Sequence, residues 1–379
     1  MRSYVPAPLP VDTIDFGRLV GLVGKANGEL ARFDGLLHGI ANAELLLSPL
    51  TTQEAVLSSR IEGTQATLSD VLEFEAGIEK PESLRDDIQE IINYRTALNY
   101  SQKYLLDRPI SLGFLRELHQ ILMSSTRGAE RTPGKFRETQ NYIGRDGASL
   151  ENATFIPPSP VRLMSDLEDF QQYIEFDDKE TLIQTAIVHA QFELIHPFND
   201  GNGRIGRLLI PLFLYQKKKL LRPIFYISGY LEKHREEYYA RLQGISQQQD
   251  WNGWIEYFLR AVAIEAKNNS DKVMRVLELY QEMKTKIPEI IRSKNSMQVL
   301  DAIFHQPIFR STDFIRLTGM RSKTSSLHLR QLKQSAILEE LAPSRGASPA
   351  IWVFPQLLTI TEGGQISAIT LRLADTIYG

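Results

Sequence analysis

The chain contains no cysteine, and this absence excludes disulfides, thiol catalysis and cysteine-ligated zinc. No uninterrupted apolar run approaches about 18 residues, so no transmembrane helix is expected. The N-terminal residues MRSYVPAPLPVD also lack the hydrophobic segment of a signal peptide. Neither sign of charge dominates: the formal net charge is −3 and the pI is near 6.2, so bulk electrostatics do not predict binding to nucleic acid or to an anionic membrane. A cytoplasmic protein without membrane contact is the expectation.

The stretch HPFNDGNGRIGR, residues 196–207, concentrates the side chains that can carry chemistry. His196 is suited to act as a general base near neutral pH, and Asp200 offers the hard oxygen that Mg²⁺ prefers. The Gly-Asn-Gly turn that follows permits backbone torsions that direct N–H groups at an anion, and a helix starting there adds its dipole. Arg204 and Arg207 leave one face of that helix. Together these residues predict a site for a polyphosphate with a metal ion.

The same glycines formally match the G-x-G-x-x-G pattern of dinucleotide-binding folds, but their context does not fit it. That fingerprint follows a strand, whereas the apolar residues within 183–194 recur at helical spacing. It also expects an acidic residue about 20 positions further on, where this chain reads FYISG. No Gly-Lys-Ser/Thr of a Walker sequence follows the glycines. A Rossmann or P-loop site is therefore rejected.

The stretch resembles the signature of the Fic (filamentation induced by cAMP) family, HPFx(D/E)GNGRxxR, at every fixed position. Members of that family mostly transfer AMP from ATP to a hydroxyl side chain of a protein. The resemblance implies that His196 deprotonates the attacking hydroxyl, that Asp200 holds Mg²⁺, and that the 201–203 turn with Asn202 cradles the α- and β-phosphates. The arginines then bind the outer phosphates. The implied nucleotide-binding set is Gly201, Asn202, Gly203, Arg204, Ile205, Gly206 and Arg207, together with Tyr238 and Tyr239.

A second motif lies upstream, at the end of a predicted helix that Gly63 closes. The residues SSRIEG that begin at Ser58 are similar to the (S/T)xxxE(G/N) inhibitory motif of Fic proteins. This resemblance implies that Glu62 reaches into the nucleotide pocket and pairs with Arg207, occupying the donors meant for the γ-phosphate. A solvated surface glutamate is the alternative. The motif favours an autoinhibited protein, in which Glu62 and the nucleotide site belong to the same chain.

Two further parts of the site rest on the resemblance. The adjacent Tyr238 and Tyr239 resemble paired tyrosines that help to bind ATP, with adenine packing as their role. Because adjacent helical positions cannot share one face, one of them is expected in the core, and Tyr239 is the better candidate for ATP. The loop segment 126–160 resembles the Fic segment with G-x-F-R, N-x-I and a flap that aligns the target by strand pairing. Its edge would be Thr154, Phe155 and Ile156; an ordinary surface excursion is the alternative.

The expected fold is mainly α: a Fic-type helical bundle with a small β-hairpin flap, plus a C-terminal winged-helix domain. The expected segments are 1–105, an N-terminal helical region with the inhibitory motif; 106–270, the Fic catalytic domain; 271–292, a connecting helix; and 293–379, a winged-helix-like domain. Between Lys294 and Leu341, seven Lys or Arg stand against four Asp or Glu. That balance is compatible with DNA phosphates, but winged helices also bind proteins, so both partners stay open.

The expected function is protein adenylylation with ATP as substrate and Mg²⁺ as cofactor. The acceptor is a Ser, Thr or Tyr hydroxyl of a protein, including the chain itself, and Glu62 holds the enzyme off. Some Fic members instead remove AMP or transfer other phosphate-containing groups, and the motifs do not separate these activities. A DNA-binding regulator whose Fic domain only senses nucleotide is the alternative from another class. Retention of His196 and Asp200 speaks against it, because binding alone needs no base. A homodimer is a further expectation.

Overall fold

The structure is a computed structural model, and it describes residues 3–40, 42–124, 132–144, 149–346 and 348–363. Over these ranges the fold is mainly helical with one small sheet, as expected from the sequence. None of the helices in these ranges is both long and apolar enough to span a membrane. The helices are α1 (Phe16–His38), α2 (Ala43–Leu46), α3 (Ser48–Ile61), α4 (Leu68–Glu75), α5 (Glu82–Tyr104), α6 (Leu112–Leu122), α7 (Pro160–Glu175), α8 (Thr181–Ile195), α9 (Asn202–Gln216), α10 (Ser228–Lys233), α11 (Arg235–Gln248), α12 (Trp251–Ile291), α13 (Ser296–His305), α14 (Ser311–Thr318), α15 (Ser322–Gln334) and α16 (Pro355–Thr361). The strands are β1 (Ile308–Arg310), β2 (Glu339–Ala342) and β3 (Ile351–Val353).

Contacts group the chain into two compact units that do not follow the order of the sequence. Unit 1 comprises Met1–His38, Leu57–Thr64 and Ile92–Lys267, and unit 2 comprises Gly39–Val56, Gln65–Ile91 and Asn268–Gly379. The four segments expected from the sequence are consecutive stretches of chain, whereas each compact unit combines stretches from several parts of the chain. This grouping does not test the expected boundaries, which stay a prediction.

The core of unit 1 is built around α8, whose residues are buried on all sides. A helix that is buried all round lies in the core of its bundle, and its polar side chains need hydrogen-bond partners within the protein. It packs against α9, α7, α1 and α11. The Glu180 side chain caps its N-terminus by accepting the Ile183 N–H at 2.8 Å. At the other end α8 stops at Ile195, so this central helix delivers His196 to the loop that leads into α9.

The C-terminal part of unit 2 has the order α13–β1–α14–α15–β2–β3, and its antiparallel sheet has the strand order β1-β3-β2. This order supports the predicted winged helix, which stays a prediction. Helix α4 belongs to the same core, because Leu72 packs in one cluster with Ile308 and Val353. Arg310 also donates from Nε to the carbonyl of Ala76, at 2.7 Å. The sheet is thus covered by a helix from the N-terminal third of the chain.

Two local details differ from what the sequence suggests. Threonine is a common N-cap residue, but α3 begins at Ser48, and the hydroxyls of Thr51 and Thr52 donate to carbonyls one turn earlier in the chain. The connecting helix expected at 271–292 is not a separate element, because it continues a helix that begins at Trp251, so that α12 has 41 residues. It continues because the polar residues 267–270 include neither glycine nor proline, and polar side chains alone do not end a helix.

Candidate active site

His196 lies between α8 and α9 with a left-handed backbone, φ 50° and ψ 60°. Such a conformation costs energy for a residue other than glycine and recurs at functional sites. Its Nδ1 lies 3.2 Å from the carbonyl oxygen of Glu193. Because a carbonyl only accepts, the proton sits on Nδ1 and Nε2 keeps its lone pair. Burial lowers the pKa of His196 to about 4, against the opposing effects of that carbonyl and of Glu62. The imidazole is therefore neutral at physiological pH, and Nε2 can accept a proton.

Arg137 holds this strained backbone in place through main-chain oxygens. It donates from Nε to His196 O at 2.9 Å, and from Nη2 to Pro158 O at 2.6 Å and Ile195 O at 3.3 Å. Its own N–H donates to Pro197 O at 2.9 Å. The side chain is buried, and burial lowers the pKa of Arg137 to about 10, so the guanidinium is still charged at neutral pH. In the sequence this arginine is visible only as part of a family segment. In the structure its guanidinium is bonded to the main-chain oxygen of His196.

The turn into α9 is closed by the side chain of Asn202. Its Oδ1 accepts the Phe198 N–H and its Nδ2 donates to Phe198 O, both at 2.9 Å. Asn141 donates to the same Phe198 oxygen at 3.0 Å. Gly201, the N-cap residue, adopts φ 72° and brings no side chain to cover the first N–H groups of α9. An anion at this turn would therefore meet main-chain N–H groups, while the Asn202 amide is engaged in the loop. Ile205 and Gly206 follow in the buried part of α9.

Asp200 stands beside this turn. Its side chain is 33% exposed and lies 3.9 Å from Nη2 of the buried Arg204. One carboxylate oxygen accepts the Gly201 N–H at 2.7 Å. Over the described residues no cluster of three or more acidic or histidine side chains forms a metal cage. A single exposed carboxylate next to an anion-binding turn fits Mg²⁺, which binds proteins through one or two carboxylates and takes its other ligands from phosphates and water.

Arg207 is paired with the inhibitory motif. Its side chain is 1% exposed, and its Nη2 donates to Glu62 Oε1 at 2.7 Å. Nε donates to Ser58 Oγ at 2.8 Å, and Nη2 also donates to Ser58 O at 2.9 Å. Burial disfavours a charged Glu62, but the Arg207 guanidinium outweighs it and holds the pKa of Glu62 below its usual range. The pair is therefore ionic, and it occupies the fork of Arg207.

The Glu62 carboxylate also lies on the glycine turn itself. A Cβ added at Gly203 would overlap Glu62 Oε1 and come within 2.9 Å of Arg207 Nη1. Glycine at 203 is therefore required for the carboxylate to approach the backbone this closely. The Glu62 carboxylate therefore occupies a place where an anion would contact both the start of α9 and Arg207.

Two family models match the chain. The model described as "Fic/DOC family N-terminal" matches residues 20–103, and the model described as "Fic/DOC family" matches residues 109–214, which include the whole stretch from His196 to Arg207. The chain belongs to the Fic/DOC family. The first match contains Ser58 and Glu62, so both motifs of the Fic site fall within matched sequence.

Curated relatives include Fic proteins of animals. The chain is 29% identical over 232 residues to protein adenylyltransferase fic-1 of Caenorhabditis elegans, which covers 59% of this chain and 39% of that protein. It is 27% identical over 308 residues to protein adenylyltransferase Fic of Drosophila grimshawi, which covers 76% of this chain and 55% of that protein. The chain thus spans about half or less of the length of these relatives.

Solved Fic structures share the fold. A Fic family protein from Desulfovibrio desulfuricans G20 superposes with a TM-score of 0.57 at 22% identity, over 92% of this chain and 98% of that one. Fic-1 of C. elegans, residues 134–508, superposes with a TM-score of 0.54 at 22% identity, over 69% of this chain and 72% of that one. These similarities place the helical arrangement described above within the Fic fold.

The two tyrosines of this Fic protein separate as their adjacent positions require. Tyr238 is buried, and its hydroxyl lies 3.0 Å from Nε2 of His189, whose Nδ1 lies 2.8 Å from Gly206 O. Because Gly206 O can only accept, His189 is protonated on Nδ1 and accepts the Tyr238 O–H at Nε2. Tyr239 is 43% exposed, and its hydroxyl is 3.4 Å from Ile61 O at the end of α3. Tyr238 therefore supports α9 from the core, and Tyr239 stays the better candidate for contact with ATP.

The segment expected to dock a target is paired in part. Ile143 donates its N–H to Phe155 O at 2.9 Å and accepts the Thr154 N–H at 2.8 Å, which forms one antiparallel bridge. Residues 145–148, which belong to the segment predicted to form the flap, lie outside the described residues. Ile156 O accepts the N–H of Tyr4 at 2.8 Å. The docking role of Thr154, Phe155 and Ile156 stays a prediction.

Glu193 is a buried carboxyl group that the sequence motifs do not single out. It is 9% exposed, and over the described residues its Oε1 has no hydrogen-bond partner. A Cβ at Gly206 would overlap this oxygen. Burial raises the pKa of Glu193 to about 8, with Arg207 opposing the rise and Glu62 adding to it. Two carboxyl groups thus act on Arg207, one ionised and one neutral at pH 7. The sequence motifs do not reveal Glu193, because it is the packing of α8 against α9 that brings its carboxyl group close to Arg207.

Proposed function

We propose that this Fic protein transfers AMP from ATP to a Ser, Thr or Tyr hydroxyl of a protein, itself included, and that Glu62 holds the activity off. One observation carries the proposal: Arg207 of the signature is bonded to Glu62 on the turn where phosphates are expected. The family membership and the names of the curated relatives support the same chemistry. A domain that only bound nucleotide would gain nothing from the strained, neutral His196.

In the proposed reaction the acceptor hydroxyl gives its proton to Nε2 of His196 while its oxygen attacks the α-phosphorus of ATP. A new P–O bond forms to the hydroxyl oxygen, and the bond to the bridging oxygen of the β-phosphate breaks, so pyrophosphate leaves. The N-terminus of α9 with Arg204 and Arg207 neutralises the phosphates. Positioning and charge neutralisation supply most of the rate in this kind of transfer.

Asp200 is the residue proposed to hold Mg²⁺. When bound, the ion would neutralise phosphate charge and help to orient the leaving pyrophosphate. The protein contributes one carboxylate, whose oxygen is already oriented by the Gly201 N–H. Metal binding is therefore expected to depend on nucleotide, because the remaining ligands come from phosphate and water.

The proposed brake works by competition for Arg207. The γ-phosphate of ATP needs the fork that now bonds Glu62 and Ser58. With Glu62 in place, ATP either binds weakly or binds with its phosphates displaced, and in-line attack at the α-phosphorus is lost. Removing the carboxylate should therefore activate the enzyme without any other change.

The partners other than ATP, and the location of the protein in the cell, remain predictions. A protein segment pairing with the flap at 154–156 is the proposed mode of target docking. A homodimer, contact with DNA or with a protein through residues 293–379, and a cytoplasmic location stay predictions from the sequence.

Incubation of purified protein with Mg²⁺ and ATP labelled at the α-phosphate tests the proposal, with and without a lysate as a source of targets. The variants are wild type, Glu62→Gly, and Glu62→Gly combined with His196→Ala. Glu79→Gly, at an exposed glutamate outside helices, is the matched control. We expect strong labelling with Glu62→Gly, weak labelling with wild type and Glu79→Gly, and none with the double variant. No labelling by any variant, with ATP still bound, would leave nucleotide sensing as the better account.

A further inference from the structure

His119, on α6, is fully buried beneath the signature loop. It accepts the Gly134 N–H at Nδ1, at 2.8 Å, and its Nε2 lies 3.0 Å from Asp200 O. The side chain therefore bridges two loops that are far apart in the sequence. One of them carries the proposed metal ligand.

The two contacts fix the state of the imidazole. Because the Gly134 N–H donates to Nδ1, that nitrogen carries no proton, and the proton must be on Nε2. Nε2–H then donates to the carbonyl oxygen of Asp200. The ring is neutral and keeps both hydrogen bonds, an arrangement that only one tautomer allows.

Packing holds the ring as firmly as the bonds do. The imidazole stacks on Phe198 with the ring centroids 3.9 Å apart and the planes 3° from parallel. A Cβ on Gly201 would come within 3.7 Å of His119 Cδ2 and 2.9 Å of Met123 Sδ, so the ring lies under the turn that begins α9. Gly134, with φ 74°, is held on the other side by Arg116, whose Nε donates to Gly134 O at 2.8 Å. His119 thus contacts the loop at both Phe198 and Asp200.

We propose that His119 is a positioning residue for the metal: by holding the Asp200 carbonyl it sets the direction of the Asp200 carboxylate toward Mg²⁺. The proposal rests on the role of Asp200 in the proposed function. Residues that orient a metal ligand from behind typically change metal affinity strongly when replaced, although they never contact the ion. Asp200 is the carboxylate bonded to this turn, and among the described residues no group of three or more acidic or histidine side chains could hold the ion instead, so the direction of the Asp200 carboxylate matters for the site.

Two substitutions separate the halves of the bridge. The amide nitrogen of glutamine extends about as far as Nε2 of histidine, so His119→Gln retains a donor toward Asp200 and loses the acceptor for Gly134. Asparagine is shorter, so His119→Asn retains an acceptor near the Nδ1 position and loses the donor toward Asp200. Both variants remove one hydrogen bond and the aromatic ring. Any difference between them therefore reports the bond to Asp200.

The test is calorimetric titration of ATP into the Glu62→Gly protein and into the two His119 variants made in that background. Each titration is done once in Mg²⁺ and once in EDTA, and thermal unfolding confirms that all three proteins are folded. We expect His119→Asn to weaken ATP binding in Mg²⁺ by roughly tenfold while leaving binding in EDTA within about twofold of the parent. His119→Gln should retain most of the Mg²⁺ effect.

Equal losses in the two variants, or equal losses in Mg²⁺ and in EDTA, would overturn the proposal, because both results indicate a purely structural histidine. A parent protein whose ATP affinity is the same in Mg²⁺ and in EDTA would overturn it too. The readout is binding, so the proposal is separable from the proposed function. If Mg²⁺-dependent binding follows the expected order while no AMP is transferred, the positioning role stands and the adenylyltransferase assignment fails.

Discussion

Replacing Glu62 with glutamine should tighten the binding of ATP and leave the binding of AMP unchanged. The substitution keeps the size of the side chain and removes its charge. Arg207 then loses an ionic partner, and the γ-phosphate of ATP no longer has to displace a carboxylate. AMP has neither a β- nor a γ-phosphate, so it does not compete for that fork.

The size of the effect follows from the exposure of the two partners. Arg207 is 1% exposed, but Glu62 is 36% exposed. A hydrogen bond to a charged group contributes about 1.5–3 kcal/mol when buried, whereas an exposed ion pair contributes about 0–1 kcal/mol. For this half-exposed pair we expect about 1–2 kcal/mol, which corresponds to a fall in the Kd for ATP of roughly five- to thirtyfold.

Calorimetry with ATP and with AMP measures this effect in the wild type, in Glu62→Gln and in Glu168→Gln, whose glutamate is exposed on α7. The control should bind both nucleotides like the wild type. An equal gain for ATP and AMP would refute the reasoning, because it would place Glu62 against the α-phosphate or the nucleoside. No gain for ATP would show that Glu62 does not compete at all.

Three further predictions concern the surroundings of the pair. In the Glu62→Gly background, Gly203→Ala should weaken ATP binding, because the new Cβ overlaps the place proposed for the γ-phosphate; calorimetry against Gly28→Ala in the same background, at an open position on α1, measures this. Glu193→Gln should remove a pH dependence of stability. The pKa rises from 4.5 to about 8 on folding, so between these values the folded state keeps a proton that the unfolded state has lost. Wild type should then lose up to about 1.4 kcal/mol of unfolding free energy per pH unit relative to the variant, in urea titrations from pH 5 to 8. Arg137→Lys should lower the free energy of unfolding by about 2–4 kcal/mol, since lysine cannot reproduce the planar fork, with Arg275→Lys, exposed on α12, as the control.

Each of these expectations has a contradicting result. Tighter ATP binding by Gly203→Ala would mean that the γ-phosphate does not use the turn. Parallel pH profiles of wild type and Glu193→Gln would mean that Glu193 ionises normally in the fold. Equal stability of the two arginine variants would mean that Arg137 does not support the strained loop.

The candidate catalytic stretch, residues 196–207, could be predicted from the sequence because the proposed chemistry depends on residue types at fixed short spacing. This stretch contains a base, a carboxylate, a flexible turn and two arginines within twelve residues. That combination is enough to predict a site for a polyphosphate with a metal ion. The inhibitory motif is readable for the same reason, although its pairing with Arg207 spans 145 positions and came only from the family resemblance.

The residues that hold the loop of the site in place could not be predicted from the sequence. Arg137 and His119 act through the backbone oxygens of His196 and Asp200, which lie 59 and 81 positions away. Bonds between a side chain and a distant main chain leave no periodicity or spacing in the sequence. For Asn202, the family resemblance implies a phosphate contact as part of the 201–203 turn, which stays a prediction. The structure adds that its side-chain amide is bonded to Phe198 within the loop.

The fold shows a similar division. Helices α14 and α15 and strands β2 and β3 follow from apolar periodicity and turn residues. Strand β1 does not, because three residues are too few to show alternation. The continuity of α12 could not be predicted from the sequence either. A polar stretch between two apolar helical patterns has the same sequence pattern whether one helix continues through it or two helices are separated by it.

In the proposed reaction AMP, and no other part of ATP, moves to a protein hydroxyl. Giving the Glu62→Gly protein ATP labelled at either the α- or the γ-phosphate, and measuring the intact mass of the product, tests this transfer. We expect incorporation of the α-label alone, a mass increase of one AMP per modified hydroxyl, and the loss of both signals when His196 is also replaced. Incorporation of the γ-label, or an adduct of any other mass, would contradict it.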